Sequence, residues 1–282
     1  ESTYPAVVEY EGDRLYYVPY KYATMIGPER WWNSLNPVST YLFVNAHWTH
    51  TISIAIIYVL GIHVLQTWME KRKAFELKWP LIIWNGALAL FSLVGVIRLT
   101  EEFVHVVRTY PLLDSISYSG DLQQPFSFWA FCFGLSKFVE LGDTVFVVLR
   151  KKRLIFLHWY HHAVVLVYVW HALREGVAGG RWFVYMNYAV HMLMYAYYAL
   201  AAAGIRFPRG VSMVLTTLQT VQMFTGVAIS FIVFYCKLQG RIMQQSFENL
   251  FLCFSIYVSF AVLFSDFFNK SYLTEKDQKA KA

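Results

Sequence analysis

Long apolar runs alternate with short polar connections along most of the chain. A transmembrane helix needs about 20 consecutive apolar residues, and seven runs of that order follow residue 46. Backbone groups inside a bilayer must be hydrogen-bonded within the protein, so such runs are expected to be helices joined by short loops. The predicted spans are approximately 47–69, 80–107, 126–149, 154–173, 182–203, 211–235 and 247–269. The pattern predicts an all-α polytopic membrane protein with seven transmembrane helices.

Positive charge is distributed unevenly between alternate connections. Residues 71–78, 150–153, 206–209 and 270–281 contain 14 Lys and Arg in total. The connections on the other side contain only 5, at positions 108, 174, 181, 237 and 241. Because basic loops stay in the cytosol, the C-terminus is predicted to be cytosolic and the N-terminus to lie on the far side. The net charge of +6 therefore indicates topology and a membrane surface rather than nucleic acid.

Three segments follow from this pattern. Residues 1–46 lack a membrane-length run and form a predicted N-terminal lumenal segment, residues 47–269 form the seven-helix domain, and residues 270–282 form a charged cytosolic tail. The stretch 108–125 is polar and longer than the other connections, so it is predicted to be a loop. The composition agrees, since 57% hydrophobic residues and 15% charged residues are atypical of a soluble domain.

Several predicted spans carry polar residues that a lipid-facing helix would avoid. Successive residues of a helix are rotated by 100°, so the polar residues within each span share one face. With a rise of about 1.5 Å per residue, the polar residues of different spans lie at similar depths in the membrane. Structural ion pairs and hydrogen bonds between helices are the simplest explanation. The shared depth instead favours one polar pocket open to the cytosol. The residues are Lys137, Glu140, Asp143, Asn187, His191, Tyr195, Tyr198, Gln219 and Gln222.

The fourth span opens with three histidines, His158, His161 and His162, which share one helix face. Imidazole can bind a transition metal or act as a base or nucleophile near neutral pH. A di-iron oxygenase would need several such boxes on one side of the membrane. This chain has one box, and the pair His47 and His50 lies at the opposite face.

Acyl chemistry needs fewer groups than a metal site. A neutral imidazole can attack an activated acyl group or take a proton, and Asp143 or Glu140 could orient one ring of the box. The phosphate-rich head of a thioester would dock on basic side chains at the mouth. Four of these precede the box, namely Arg150, Lys151, Lys152 and Arg153.

Four motifs resemble those of the ELO family of very-long-chain fatty acid elongases, which are 3-ketoacyl-CoA synthases. The histidine box is Leu157-His158-Trp159-Tyr160-His161-His162. The others, in family order, are Lys137-x-x-Glu140-x-x-Asp143-Thr144, Asn187-x-x-x-His191-x-x-Met194-Tyr195-x-Tyr197-Tyr198 and Thr216-x-x-Gln219-x-x-Gln222. Together they extend the resemblance over residues from about 70 to 270.

The resemblance implies a fold in which six of the seven helices surround a closed acyl tunnel. It also implies condensation of acyl-CoA with malonyl-CoA to give 3-ketoacyl-CoA, CoA and CO2, without a metal or other cofactor. The implied location is the endoplasmic reticulum membrane. The implied partners are the lipid bilayer, other enzymes of the elongation cycle and a second copy of the chain.

Residue roles follow from the motif match. His161 would accept the acyl group, His191 would lie opposite, His158 and His162 would orient the pair, and Asp143 and Glu140 would support them. Covalent transfer through an acyl-imidazole and direct base-driven condensation both remain open. Substrate contacts would come from Lys137, Asn187, Tyr195, Tyr198, Gln219, Gln222, Arg150, Lys151, Lys152 and Arg153.

Two further stretches resemble the family branch that acts on saturated and monounsaturated chains of about palmitate length. These are residues 154–162 and 177–183, and members acting on polyunsaturated chains tend to have Gln at the position of Arg153. Two other functions remain as alternatives. A seven-span receptor or transporter would not explain the clustered histidines, and a di-iron oxygenase would contain stoichiometric iron.

Overall fold

The computed structural model describes residues 5–10, 13–35 and 37–274, and this part of the chain is mostly helical. Seven of its helices have 20 or more residues. They are α3 (His50–Glu70), α4 (Lys78–Thr109), α6 (Pro125–Leu149), α7 (Phe156–Glu175), α8 (Gly180–Ala203), α9 (Arg209–Leu238) and α10 (Phe247–Phe268). Shorter elements are β1 (Ala6–Tyr10), β2 (Asp13–Val18), α1 (Gly27–Ser34), α2 (Pro37–His47), α5 (Asp114–Ser117), β3 (Ser119–Gly120) and a π-helical turn at Asn269–Thr274.

The long helices coincide with the predicted spans to within a few residues. Four stretches, namely α3, α4, α9 and α10 with its π-helical turn, are long and apolar enough to cross a membrane by themselves. The chain is therefore a multi-pass membrane protein. The other three long helices carry most of the polar residues noted above, which lowers their hydropathy. Their ends follow local signals: Pro125 begins α6, and Gly176 ends α7 with a left-handed φ of 58°.

The structure refines the predicted segments in three places. The first long helix begins at His50 rather than residue 47, because the separate helix α2 extends to His47. The chain is not purely α-helical, since β1 and β2 pair in an antiparallel manner and β2 pairs in parallel with β3. The stretch 108–125 is not simply a loop, because it contains α5 and β3. Most of the predicted tail, residues 275–282, lies outside the described residues.

The small sheet is tied to the loops at the same end of the helices. Gln244 connects three of these segments through its side chain and backbone. Its side chain accepts a hydrogen bond from the Tyr16 backbone (3.1 Å) and donates one to the Glu175 carbonyl (3.0 Å). Its backbone N–H donates to the Ser117 carbonyl at 2.8 Å. This end of the molecule is called the sheet end below, and the opposite end, with residues 71–78 and 150–153, the basic end.

A buried arginine secures the sheet end. Arg181, predicted to lie in a short loop, sits in the first turn of α8 and is only 1% exposed. Its guanidinium donates to both carboxylate oxygens of Glu102 on α4, at 2.8–3.1 Å. It also donates to the carbonyls of Ser115, Tyr118 and Ser119. A buried charge is tolerated only when it is paired and hydrogen-bonded, and here every arm of the fork has an acceptor.

A second carboxylate attaches the N-terminal region to the bundle. Glu29 on α1 accepts hydrogen bonds from the guanidinium of Arg98 on α4 (2.7 Å) and from the indole of Trp129 on α6 (2.8 Å). Burial by itself would raise the pKa of Glu29, but the hydrogen bonds from Arg98 and Trp129 outweigh it and hold that pKa below its ordinary value. Helix α1 is thereby fixed against two long helices.

Candidate active site

A cavity of about 510 Å³, lined by many polar side chains, lies towards the basic end. Its volume falls in the range typical of small-molecule sites. Side chains from six of the long helices line it, namely α4, α6, α7, α8, α9 and α10, and α3 packs outside against α6 and α7. We call this cavity the chamber. Among the predicted site residues it contains Asp143, Arg150, Lys152, His158, His161, His162, Asn187, His191, Tyr195, Tyr198, Gln219 and Gln222.

A second, mainly apolar cavity, called the slot below, continues from the chamber towards the sheet end. Aromatic and aliphatic side chains form most of its wall, among them Phe133, Val165, Val169, Phe183 and Phe260. Four residues line both cavities and therefore mark their junction. These are His161, Asn187, Gln222 and Met223.

The charged residues of α6 form a buried network beside the junction. Lys137 is 3% exposed and donates to both oxygens of Glu140, at 2.8 and 3.0 Å. It also donates to Oδ1 of Asn187 at 3.0 Å. The amide N–H2 of Asn187 therefore remains as the donor that can face the cavity. Oε1 of Glu140 accepts a hydrogen bond from Ser136 and lies 3.6 Å from Nδ1 of His191.

The carboxylate of Asp143 is held by two neighbouring helices. Trp84 on α4 donates its indole N–H to Oδ1 at 2.6 Å, and Tyr195 on α8 donates its hydroxyl to Oδ2 at 2.7 Å. Both oxygens of the Asp143 carboxyl group are thus used as hydrogen-bond acceptors. Tyr195 is thus oriented by Asp143, and its ring packs edge-on against that of His191, with 5.3 Å between centroids.

The three imidazoles of the box cluster at the start of α7. The ring centroids of His158 and His162 are 4.6 Å apart, and those of His161 and His162 are 5.6 Å apart. Nε2 of His158 lies 3.0 Å from the hydroxyl oxygen of Thr144, which in turn lies 2.6 Å from that of Tyr58.

Within the described hydrogen bonds, neither Asp143 nor Glu140 is bonded to an imidazole of the box. Among the described contacts, Thr144 is the residue that orients an imidazole of the box, through His158. Asp143 instead holds Tyr195, and Glu140 approaches His191. Trp84, Tyr195 and Lys137 instead bind these two carboxylates.

The basic run divides into residues that face the chamber and residues that do not. Arg150 and Lys152 contribute to its wall. Lys151 has a left-handed φ of 52° and donates to the Glu70 carbonyl at 3.1 Å. Arg153 is exposed and lies in the wall of neither the chamber nor the slot. The left-handed turn at Lys151 explains why four consecutive basic residues do not point the same way.

Some residues of the site were not assigned from the sequence. Trp84 resembles an ordinary membrane-facing aromatic residue, and only its bond to Asp143 reveals a role. Met194, although part of a recognised motif, had no predicted contact, and its sulfur accepts a hydrogen bond from Gln219 at 3.1 Å. The described part of the chain contains no group of three or more His, Cys, Asp or Glu placed to hold an ion.

Comparison with known proteins identifies the family. The model of the GNS1/SUR4 (ELO) family matches residues 43–280. The chain belongs to this family. This confirms the resemblance drawn from the four motifs.

Curated relatives cover most of the chain. A Caenorhabditis elegans protein named as a candidate fatty acid elongase is 46% identical over 244 residues, or 86% of this chain and 84% of that one. Very long chain fatty acid elongase 6 of Drosophila melanogaster is 43% identical over 242 residues, covering 83% and 76% of the two chains. Very long chain fatty acid elongase 6 of Homo sapiens is 41% identical over 241 residues, covering 85% and 91%.

Removing only the charge of Lys137 should destabilise the protein more than removing the charges of both Lys137 and Glu140. We expect Lys137→Met to destabilise the protein by about 3–5 kcal/mol, because Glu140 is left buried without its counter-ion. The double variant Lys137→Met/Glu140→Gln should recover most of that loss. Thermal unfolding in detergent would measure both changes.

An exposed ion pair provides the control. Asp266 accepts a hydrogen bond from Lys270 at 2.7 Å, and both side chains are largely exposed. Asp266→Asn should therefore change stability by less than about 1 kcal/mol. A double variant less stable than Lys137→Met would contradict the ion-pair explanation.

Proposed function

We propose that this fatty acid elongase family member catalyses the condensation step of elongation, joining a long-chain acyl-CoA to malonyl-CoA. The products are 3-ketoacyl-CoA, free CoA and CO2. The observation that carries the proposal is the position of His161, which lies where the polar chamber meets the apolar slot. An acyl-CoA has the same division, with a polar head, a reactive thioester and an apolar tail.

Placing the thioester at this junction gives each part of the substrate a matching environment. The tail would occupy the slot, among side chains such as Phe133, Val165 and Phe260. The CoA phosphates would lie at the basic end, where Arg150 and Lys152 face the chamber and can form charge-assisted bonds with phosphate. The amides of Asn187 and Gln222, both at the junction, would hydrogen-bond the thioester carbonyl.

The first half-reaction would transfer the acyl group to His161. A ring nitrogen attacks the thioester carbon, the carbon–sulfur bond breaks, and the proton released from the imidazole neutralises the CoA thiolate. Splitting the reaction in this way replaces one difficult step with two easier ones. The ring centroid of His162 lies 5.6 Å from that of His161 and 4.6 Å from that of His158. His162 and His158 can therefore relay the proton.

The second half-reaction would use malonyl-CoA in the emptied chamber. Loss of CO2 leaves the bonding electrons on the carbon next to the thioester, and this carbon attacks the acyl-imidazole. The new carbon–carbon bond forms as the bond to His161 breaks, and the departing imidazole nitrogen takes up a proton from water in the chamber, which restores neutral His161. His191 faces the chamber beside Glu140 and, when protonated on both ring nitrogens, can donate to the developing enolate oxygen. Tyr195 gives its hydroxyl hydrogen to Asp143 and packs edge-on against the His191 ring, which positions that imidazole.

The membrane placement is part of the proposal. The seven long helices would each cross the bilayer once, with the basic end in the cytosol, as the excess of basic residues indicates. Acyl-CoA and malonyl-CoA would then enter the chamber from the cytosol. The endoplasmic reticulum is the proposed membrane, and saturated or monounsaturated chains of about palmitate length are the proposed substrates.

Incubating purified protein with palmitoyl-CoA and labelled malonyl-CoA tests the reaction directly. We expect labelled 3-ketoacyl-CoA from the native protein and almost none from His161→Ala. With palmitoyl-CoA alone, intact-protein mass spectrometry should detect an added palmitoyl group on the native protein and none on the variant.

His63→Ala is the matched control, since His63 is an exposed imidazole on α3 that packs against Trp159. It should keep both the product and the adduct. Product formation without any adduct would favour direct condensation. Full activity in His161→Ala would show that the assigned nucleophile is wrong.

Arg150 and Lys152, at the basic end of the chamber, should contribute mainly to substrate binding. We expect Arg150→Gln/Lys152→Gln to raise the KM for acyl-CoA roughly tenfold, as lost contacts to phosphate act on ground state and transition state alike. Steady-state kinetics would measure this, with kcat changing little. Lys73→Gln, an exposed lysine at the same end, is the control. A fall in kcat with no change in KM would contradict a docking role.

A further inference from the structure

The slot extends far from the junction residue His161. On α7 its wall runs from His161 to Leu173, a separation of about 18 Å at 1.5 Å per residue. Beyond Leu173 the wall continues over Gly176 and Val177 at the sheet end, and beside Leu173 part of it comes from residues that precede the first long helix. These are Trp32 on α1 and Thr40, Tyr41 and Val44 on α2.

Most of these residues lie outside the region that the family model matches. The family match begins at residue 43, so Trp32, Thr40 and Tyr41 precede it. The wall near Leu173 is therefore built partly from a segment that the family model does not describe. Differences in that segment can alter the slot without altering the chamber.

Trp32 is fixed in this position by contacts on both sides. Its ring packs on Phe131 and Phe128 of α6, with centroid distances of 5.0 and 5.8 Å. Three residues earlier, Glu29 binds Arg98 and Trp129 and holds α1 against the bundle. The indole is 6% exposed, and its N–H has no hydrogen-bond partner among the described residues. It is thus held by packing, as a space-filling wall requires.

We propose that Trp32 forms the wall of the slot beside Leu173 and limits the longest acyl chain that the protein elongates. The inference rests on the proposed condensation, since the slot must hold the acyl tail. The residue is then a specificity determinant rather than a catalytic residue. Removing the indole would extend the slot, whereas adding bulk beside it would shorten the slot.

Replacing Trp32 should shift the preference towards longer chains. We expect Trp32→Ala to raise the ratio of kcat/KM for stearoyl-CoA over palmitoyl-CoA by roughly tenfold, the scale of discrimination by an apolar pocket for small length differences. Trp31→Ala is the matched control, because Trp31 is the adjacent residue and is 61% exposed. The ratio of kcat/KM for stearoyl-CoA over palmitoyl-CoA should be the same in Trp31→Ala as in the native protein.

A second variant tests the opposite direction. Thr40→Phe adds bulk to the half-buried part of the slot wall and should lower the same ratio by roughly tenfold. An unchanged ratio in both variants, with elongation intact, would overturn the role of this wall. If the native protein elongated neither substrate, the proposed reaction itself would be wrong. Failure of the proposed role of Trp32 can therefore be distinguished from failure of the proposed function.

Discussion

Polar groups inside the helical bundle must be satisfied by other groups of the protein, because an apolar layer surrounds it. This constraint explains the arrangement beside the junction. Lys137 neutralises Glu140 and orients Asn187, while Trp84 and Tyr195 share Asp143. Each charge is paired between or within helices, so the pairing also fixes the helices relative to one another. The chamber is the space that these fixed helices leave between them.

The chamber and the slot differ because their walls come from different parts of the same helices. On α7, His158, His161 and His162 lie near the basic end, whereas Val165 and Val169 continue the wall as apolar positions. One helix thereby changes from polar to apolar along its length. The change occurs at His161, which makes this imidazole the natural position for the reacting carbon of an amphipathic substrate.

The helices and the site faces could be predicted because both depend on local sequence patterns. Apolar runs gave the long helices, and helical periodicity placed Asn187, His191 and Tyr195 on one side. What was missed depends on contacts between distant residues. Glu29 with Arg98, and Arg181 with Glu102, organise the sheet end across 69 and 79 positions. No local pattern reveals such pairs, and so the sheet and the N-terminal wall of the slot emerge only from the structure.

The most direct measurement locates the two ends of a bound acyl-CoA by photolabelling. It uses two photoreactive analogues of palmitoyl-CoA. One carries the reactive group at the methyl end of the tail, and the other carries it on the CoA adenine. The account predicts that the first labels the slot near Leu173 and the second labels residues around Arg150 at the basic end. Labelling in the reverse sense would contradict it. So would tail labelling confined to the separate apolar groove that residues such as Ile56 of α3, Val164 of α7 and Leu252 of α10 line.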